Sequence, residues 1–183
     1  MLKNFWGHLK LITKHRIMVF RLSIKAGIPW RGFVHDLSKY SPTEFIPGVK
    51  YFNGKKSPIS VQREKEGYSL AWIHHKAKNK HHVEYWVDYQ KNKILYVPMP
   101  FKYACEMVCD QQAAGITYMG KDWTKEYELE YWNKVKPYFH ADEGIKIFIE
   151  KVHTEVAKNG IDKTINKKNL KKWYKEFVID RKF

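Results

Sequence analysis

Between residues 4 and 26 His8, Leu11, His15, Val19, Leu22 and Ala26 recur at spacings of three and four, which predicts one long amphipathic helix ended by Gly27 and Pro29. Two of the positions on its inward stripe are histidines. They stand seven residues apart, about 10.5 Å along a helix, so they cannot hold one small ion together. A second, short helix is expected from Pro29, carrying the adjacent pair His35 and Asp36. In the stretch SPTE, Ser41 can cap the next helix, Pro42 fits its first position and Glu44 can close a capping box, so Glu44 reads as a cap.

Residues 52–60 read as a loop, and helical periodicity resumes from about Tyr68 to Lys78, breaks near Asn79 and restarts in HHVEYWVDYQ. ILYVP, after the polar turn KNK, reads as an extended connection. Pro100 opens a helix that Gly115 ends, and two more are expected over about 124–135 and 142–158. The pattern predicts an all-α chain of seven or so helices in a single domain. Residues 1–160 form its helical body, and 161–183 are a basic helical extension of the same unit.

Composition narrows the function classes. With 183 residues and 44% hydrophobic content, the chain can bury one substantial core. No apolar run approaches the roughly 18 residues that span a bilayer, and MLKNFWGHLKLITKHR interleaves charges where a signal peptide would be apolar. A cytoplasmic protein without a membrane partner is expected. Cys105 and Cys109, four apart in one helix, read as reduced structural thiols. The net charge of +15 is compatible with a small anionic substrate or with nucleic acid. Its lysines are scattered, however, and the densest run, KKNLKKWYK, reads as a solvated helix face, so nucleic-acid binding is not favoured.

The chemistry lies in the order of the remaining histidines and acids. After His15 come His35 and Asp36, the pairs His74/His75 and His81/His82, and then Asp110 within a helix flanked by Met107, Ala113 and Ala114. Such groups spread over several helices can converge in a bundle core and suit Mn, Fe or Zn. On α-helical phase His74 shares a face with Leu70, Ile73 and Ala77, which favours His74 and His81 as ligands. His75, His82, Glu106 and His8 are alternates or supporting groups, while His140 and His153 are assigned no role.

The series His15, HDLSK, the two HH pairs and MVCDQQAAG resembles the HD-domain superfamily over residues 8 to about 115. HHKAKNKHHVEYW is similar to a motif HH-x3-N-x-HH-x-E-x-W of an uncharacterised bacterial branch. The resemblance implies an HD-like helical bundle with one or two divalent transition-metal ions. Their ligands would be His15, His35, Asp36, His74, His81 and Asp110, with Asp36 bridging and Lys39 meeting a phosphate oxygen. It implies a phosphomonoesterase or phosphodiesterase acting on a small nucleotide-like or phosphorylated metabolite, with Asp36 and Lys39 in catalytic roles. The GYP signature of cyclic-dinucleotide phosphodiesterases is missing. The alternatives are a di-iron oxygenase of the same superfamily and a basic nucleic-acid-binding helical module. Oligomeric state has no signal in the sequence.

Overall fold

In a computed structural model that describes residues 1–181, the long amphipathic pattern forms α1 (Leu2–Lys25), followed by α2 (Pro29–Val34). The chain continues through a 3₁₀ turn (Leu37–Tyr40), α3 (Pro42–Lys50), α4 (Pro58–Glu66) and α5 (Leu70–Lys78). A second 3₁₀ turn (Val83–Trp86) leads into a hairpin of β1 (Val87–Gln90) and β2 (Lys93–Tyr96). The remaining α-helices are α6 (Phe101–Met119), α7 (Tyr127–Val135), α8 (Glu143–Asn159), α9 (Ile161–Thr164) and α10 (Lys167–Tyr174), with 3₁₀ turns at Gly120–Asp122 and Lys136–Tyr138 and a π-helical turn at Lys175–Ile179. The fold is all-α apart from that hairpin, and the described residues form one domain around one core. No described helix is long and apolar enough to cross a membrane.

The core joins α1, α6 and α8. Val19, Leu22 and Ala26 meet Ala104, Cys105, Val108 and Cys109, with Phe148, Ile149 and Val152 closing the far side. Both cysteines are free and buried, and burial pushes both thiols up, away from the reactive thiolate. The basic C-terminal segment is anchored to this core through Leu170, Trp173 and Val178, while its described lysines stay outside.

Local structure departs from the sequence expectations in several places, one being that α6 runs through Gly115, expected to end it, as far as Met119. HHVEYWVDYQ is not a helix, and ILYVP is not a bare connection. Val87, Tyr89, Ile94 and Tyr96 belong to antiparallel strands paired Val87↔Tyr96 and Gln90↔Lys93, so cross-strand pairing of β-branched and aromatic residues replaces helical phase. The loop expected over 52–60 gives way at Pro58, which opens α4. The His35-Asp36 pair lies just beyond α2. There Arg16 donates to the carbonyls of Phe33 and His35 at 2.8 and 2.7 Å, satisfying groups that a continued helix would otherwise use. Finally, Ser41 makes no side-chain cap, and Glu44 turns inward.

Candidate metal centre

Asp36 is the pivot. Its φ of +51° is a left-handed conformation that costs a non-glycine residue roughly 1 kcal/mol, and the turn places its carboxylate in the interior, 1% exposed. α1 contributes His15, the α2 terminus His35, α5 His75, the following turn His81 and His82, and α6 Glu106 and Asp110.

These side chains form overlapping sets. His15, His35, Asp36 and Asp110 make one; Asp36, His75, His81 and His82 make a second; His35, His81 and Glu106 a third. Within each, one donor atom per residue lies within 4.8 Å of the others. Asp36 belongs to the first two. Its Oδ2 is 3.2 Å from His35 Nε2, and its Oδ1 is 3.3 Å from His75 Nε2 and 3.5 Å from His81 Nε2. Asp110 Oδ1 is 2.9 Å from His15 Nε2 and 3.4 Å from His35 Nε2, and its Oδ2 is 3.6 Å from His81 Nε2.

Two glutamates stand behind the imidazoles. Glu106 Oε1 accepts from His35 Nδ1 at 3.0 Å and lies 3.3 Å from His81 Nδ1, while Arg31 holds the same carboxylate at 2.7 and 3.1 Å. Glu44 accepts from His75 Nδ1 through one oxygen and from His74 Nδ1 through the other, both at 2.7 Å. An ionised carboxylate can only accept, so these contacts put the imidazole proton on Nδ1 and leave Nε2 with its lone pair facing Asp36 and Asp110.

That arrangement fits a cation. The Nε2 atoms of His15, His35 and His81 and Asp36 Oδ1 are buried with no hydrogen-bond partner aligned on them, and Asp36 Oδ2 has the Lys39 ammonium at 2.6 Å. Lone pairs facing lone pairs in the interior repel unless a positive charge lies between them. Protons reveal the same demand. Burial opposes charging His35, but Asp36, Asp110 and Glu106 outweigh it and hold the imidazole well above its ordinary range. Burial likewise opposes charge on Asp36, and His35, Lys39 and His75 keep it well below the usual carboxylate range. For Glu106 burial is outweighed by His35, His81 and Arg31, which bring it to about 2. Mixed imidazole and carboxylate donors suit Mn, Fe or Zn better than Mg or Ca.

The structure exchanges one expected ligand for its neighbour and separates one of the alternates, His8, from the cluster. His75, not His74, faces Asp36: Ala71 and His75 form the buried side of α5, whereas Leu70 and Ile73, whose phase pointed to His74, are exposed. His74 instead holds the outer oxygen of Glu44. His8 is buried against Phe45 and Phe52, outside all three donor sets. His82 packs with its ring 4.2 Å from His81, and burial with the neighbouring His81 and His75 keeps it well below ordinary imidazole. Lys39 Nζ lies 2.6 Å from Asp36 Oδ2, and the acids around it raise its ammonium against the opposing effect of burial.

Sequence reasoning gave Arg31 and Glu44 no place in the site. Arg31 carried no signal, and Glu44 was masked by its position in a capping pattern. His153, which sequence left without a role, is a satisfied core residue between Gln112 and Gln111 at 3.0 and 3.1 Å.

Residues 4–156 match the model of a family of unknown function, DUF5662. The chain belongs to that family. The DUF5662 match spans α1 to α8 and so includes every residue of the three donor sets. No curated protein and no solved structure matches the chain.

Proposed function

We propose that this protein is a metal-dependent phosphohydrolase of the HD type, a phosphomonoesterase or phosphodiesterase acting on a small phosphorylated metabolite. The observation that carries the proposal is Asp36 shared between two donor sets, one oxygen turned to His75 and His81 and the other to His35. Divalent ions held by these residues would supply Lewis acidity toward a phosphoryl oxygen and a lowered pKa for water. The protein's own part is positional. Glu106 and Glu44 hold protons at Nδ1 and so aim Nε2, while Asp36 and Asp110 bring the negative charge that retains cations.

Lys39 brings an ammonium to the same carboxylate, where it can neutralise phosphate charge as it builds up in the transition state. The net charge of +15 favours approach of an anionic substrate. The resemblance of the ordered His and Asp positions to HD-domain proteins supports the same reading, as does the free-thiol state of both cysteines for a cytoplasmic location.

The test is elemental analysis of freshly purified protein together with a panel of phosphate esters assayed under nitrogen and under air. The expected result is one to two transition-metal ions per chain and phosphate release independent of oxygen. Absence of bound metal, with no thermal stabilisation by added Mn, Fe or Zn, refutes the metal centre. Substrate-dependent oxygen uptake confined to the iron-loaded protein replaces the hydrolase by the di-iron oxygenase.

A further inference from the structure

While the inward stripe of α1 serves the core and the metal centre, its outer side is left uncovered. An open groove of about 590 Å³ runs along it, lined by Trp6, Leu9, Lys10, Lys14, Ile17 and Arg21 among others, and every lining residue comes from α1 itself. Phe20 meets Phe33 of α2 edge to face at 6.4 Å, and Phe33 stacks on Trp30 at 5.7 Å. Phe20 stands three residues from Ile17 and four from Ile24, so the α2 aromatics extend the same face. Trp6, Ile17, Ile24, Trp30 and Phe33 are 49–69% exposed. A lone exposed apolar side chain is ordinary, but a contiguous set of this kind marks an interaction face.

This face carries one sign of charge. Lys10, Lys14 and Arg21 line the groove, and neither α1 nor α2 contains an aspartate or glutamate. The first two acids of the chain, Asp36 and Glu44, are buried, so the first exposed carboxylate is Glu64 in α4. Among the described residues, Lys25 is the one lysine or arginine of α1 that pairs with a carboxylate, that of Asp162, and it stands at the helix end beyond the groove. A merely solvated helix face mixes both signs.

We propose that the α1–α2 face rests on an anionic lipid surface, with Trp6, Ile17, Trp30 and Phe33 at the headgroup level and Lys10, Lys14 and Arg21 against lipid phosphates. Tryptophan favours that boundary, and binding there draws on apolar burial and on attraction between bases and anionic lipid together. Other occupants answer only half of the pattern. Duplex nucleic acid would satisfy the bases but set the aliphatic Ile17 and Ile24 against hydrated phosphates. A second copy would bury the apolar residues, but two-fold pairing sets a patch against itself and so brings the same bases together. The expectation of no membrane partner came from the lack of a spanning segment, and interfacial contact requires none. The assignment is independent of the hydrolase reading.

The test is co-sedimentation of the full chain with vesicles of phosphatidylcholine alone and with vesicles of an equal mixture of phosphatidylcholine and phosphatidylglycerol. The mixed vesicles should bind at least about tenfold more tightly. The combined changes Lys10→Glu, Lys14→Glu and Arg21→Glu should weaken that binding at least about tenfold, and so, separately, should Trp30→Ala with Phe33→Ala, both with unchanged helical content by circular dichroism. Lys168→Glu, Lys171→Glu and Lys172→Glu together make the same charge change on exposed positions of α10 and should weaken it no more than about threefold. No preference for the mixed vesicles, an equal loss in the α10 variant, or full binding by the Trp30 and Phe33 variant would overturn the assignment. So would dimerisation that the Trp30 and Phe33 variant abolishes, which gives the face to a second copy. Duplex DNA bound as tightly as the mixed vesicles, and lost in both face variants, would overturn it in favour of nucleic acid.

Discussion

Replacing Glu106 by Gln tests whether the carboxylate behind the histidines sets metal affinity. The side chain is fully buried, its Oε1 serves His35 Nδ1 and approaches His81 Nδ1, and Arg31 grips both of its oxygens. Glutamine keeps the shape but has one acceptor oxygen in place of two. If that oxygen faces the histidines, the amide NH₂ confronts Arg31 Nε, donor against donor. If the NH₂ faces the histidines, Nδ1 must accept and the proton moves to Nε2, where a ligand lone pair is needed. Either outcome should weaken metal binding by about 10–100-fold, or roughly 1.4–2.7 kcal/mol.

Folding should suffer as well. Breaking a buried ion pair costs about 3–5 kcal/mol, but here glutamine keeps one acceptor and the Arg31 side chain is 23% exposed, so about 1–3 kcal/mol is expected. For a chain of this size that is a Tm decrease of about 2–12 °C. The assays are chelator-competition titration with zinc and scanning calorimetry of the metal-depleted protein. Unchanged zinc affinity would refute the orienting role, and if only stability fell, Glu106 would be an anchor for Arg31 and nothing more.

Three further predictions follow from other parts of the molecule. Lys39→Met should retain its metal but release phosphate about 10- to 1000-fold more slowly, roughly 1.4–4 kcal/mol of transition-state stabilisation, and normal turnover would remove Lys39 from the reaction. Glu128 is raised to about 8 by burial and, secondarily, by the charge of Asp110. Between pH 4.5 and about 8 the unfolded chain therefore gives up a proton that the folded chain keeps, and stability falls as pH rises. Glu128→Gln should flatten that slope by a few kcal/mol in total, read as Tm against pH; parallel curves for the two proteins would contradict the cause. Duplex DNA should bind weakly, without sequence preference and with a steep loss on added salt, because the +15 charge is spread over scattered lysines. Nanomolar, sequence-selective binding at physiological salt would favour the nucleic-acid-binding module.

The sequence by itself determined the helical class, the long first helix and most of the residues that meet at the centre. Those signals are local or ordered: a 3.6-residue period in α1, proline and glycine at helix ends, and His15, His35, Asp36, His81 and Asp110 in chain order. Only the tertiary structure decided which histidine of the first HH pair faces Asp36. On α5 the residues turned toward the interior, Ala71 and His75, are less apolar as a set than Leu70 and Ile73 on the exposed side, so hydrophobic phase pointed the wrong way. A helix face that contributes to a polar centre need not be its most apolar face. The roles of Glu44 and Arg31 were hidden for a related reason: each acts on a residue distant in sequence, Glu44 on His75 and Arg31 on Glu106. Local propensity describes a residue's own turn of helix, whereas proton placement on an imidazole depends on which carboxylate packing brings to its other nitrogen.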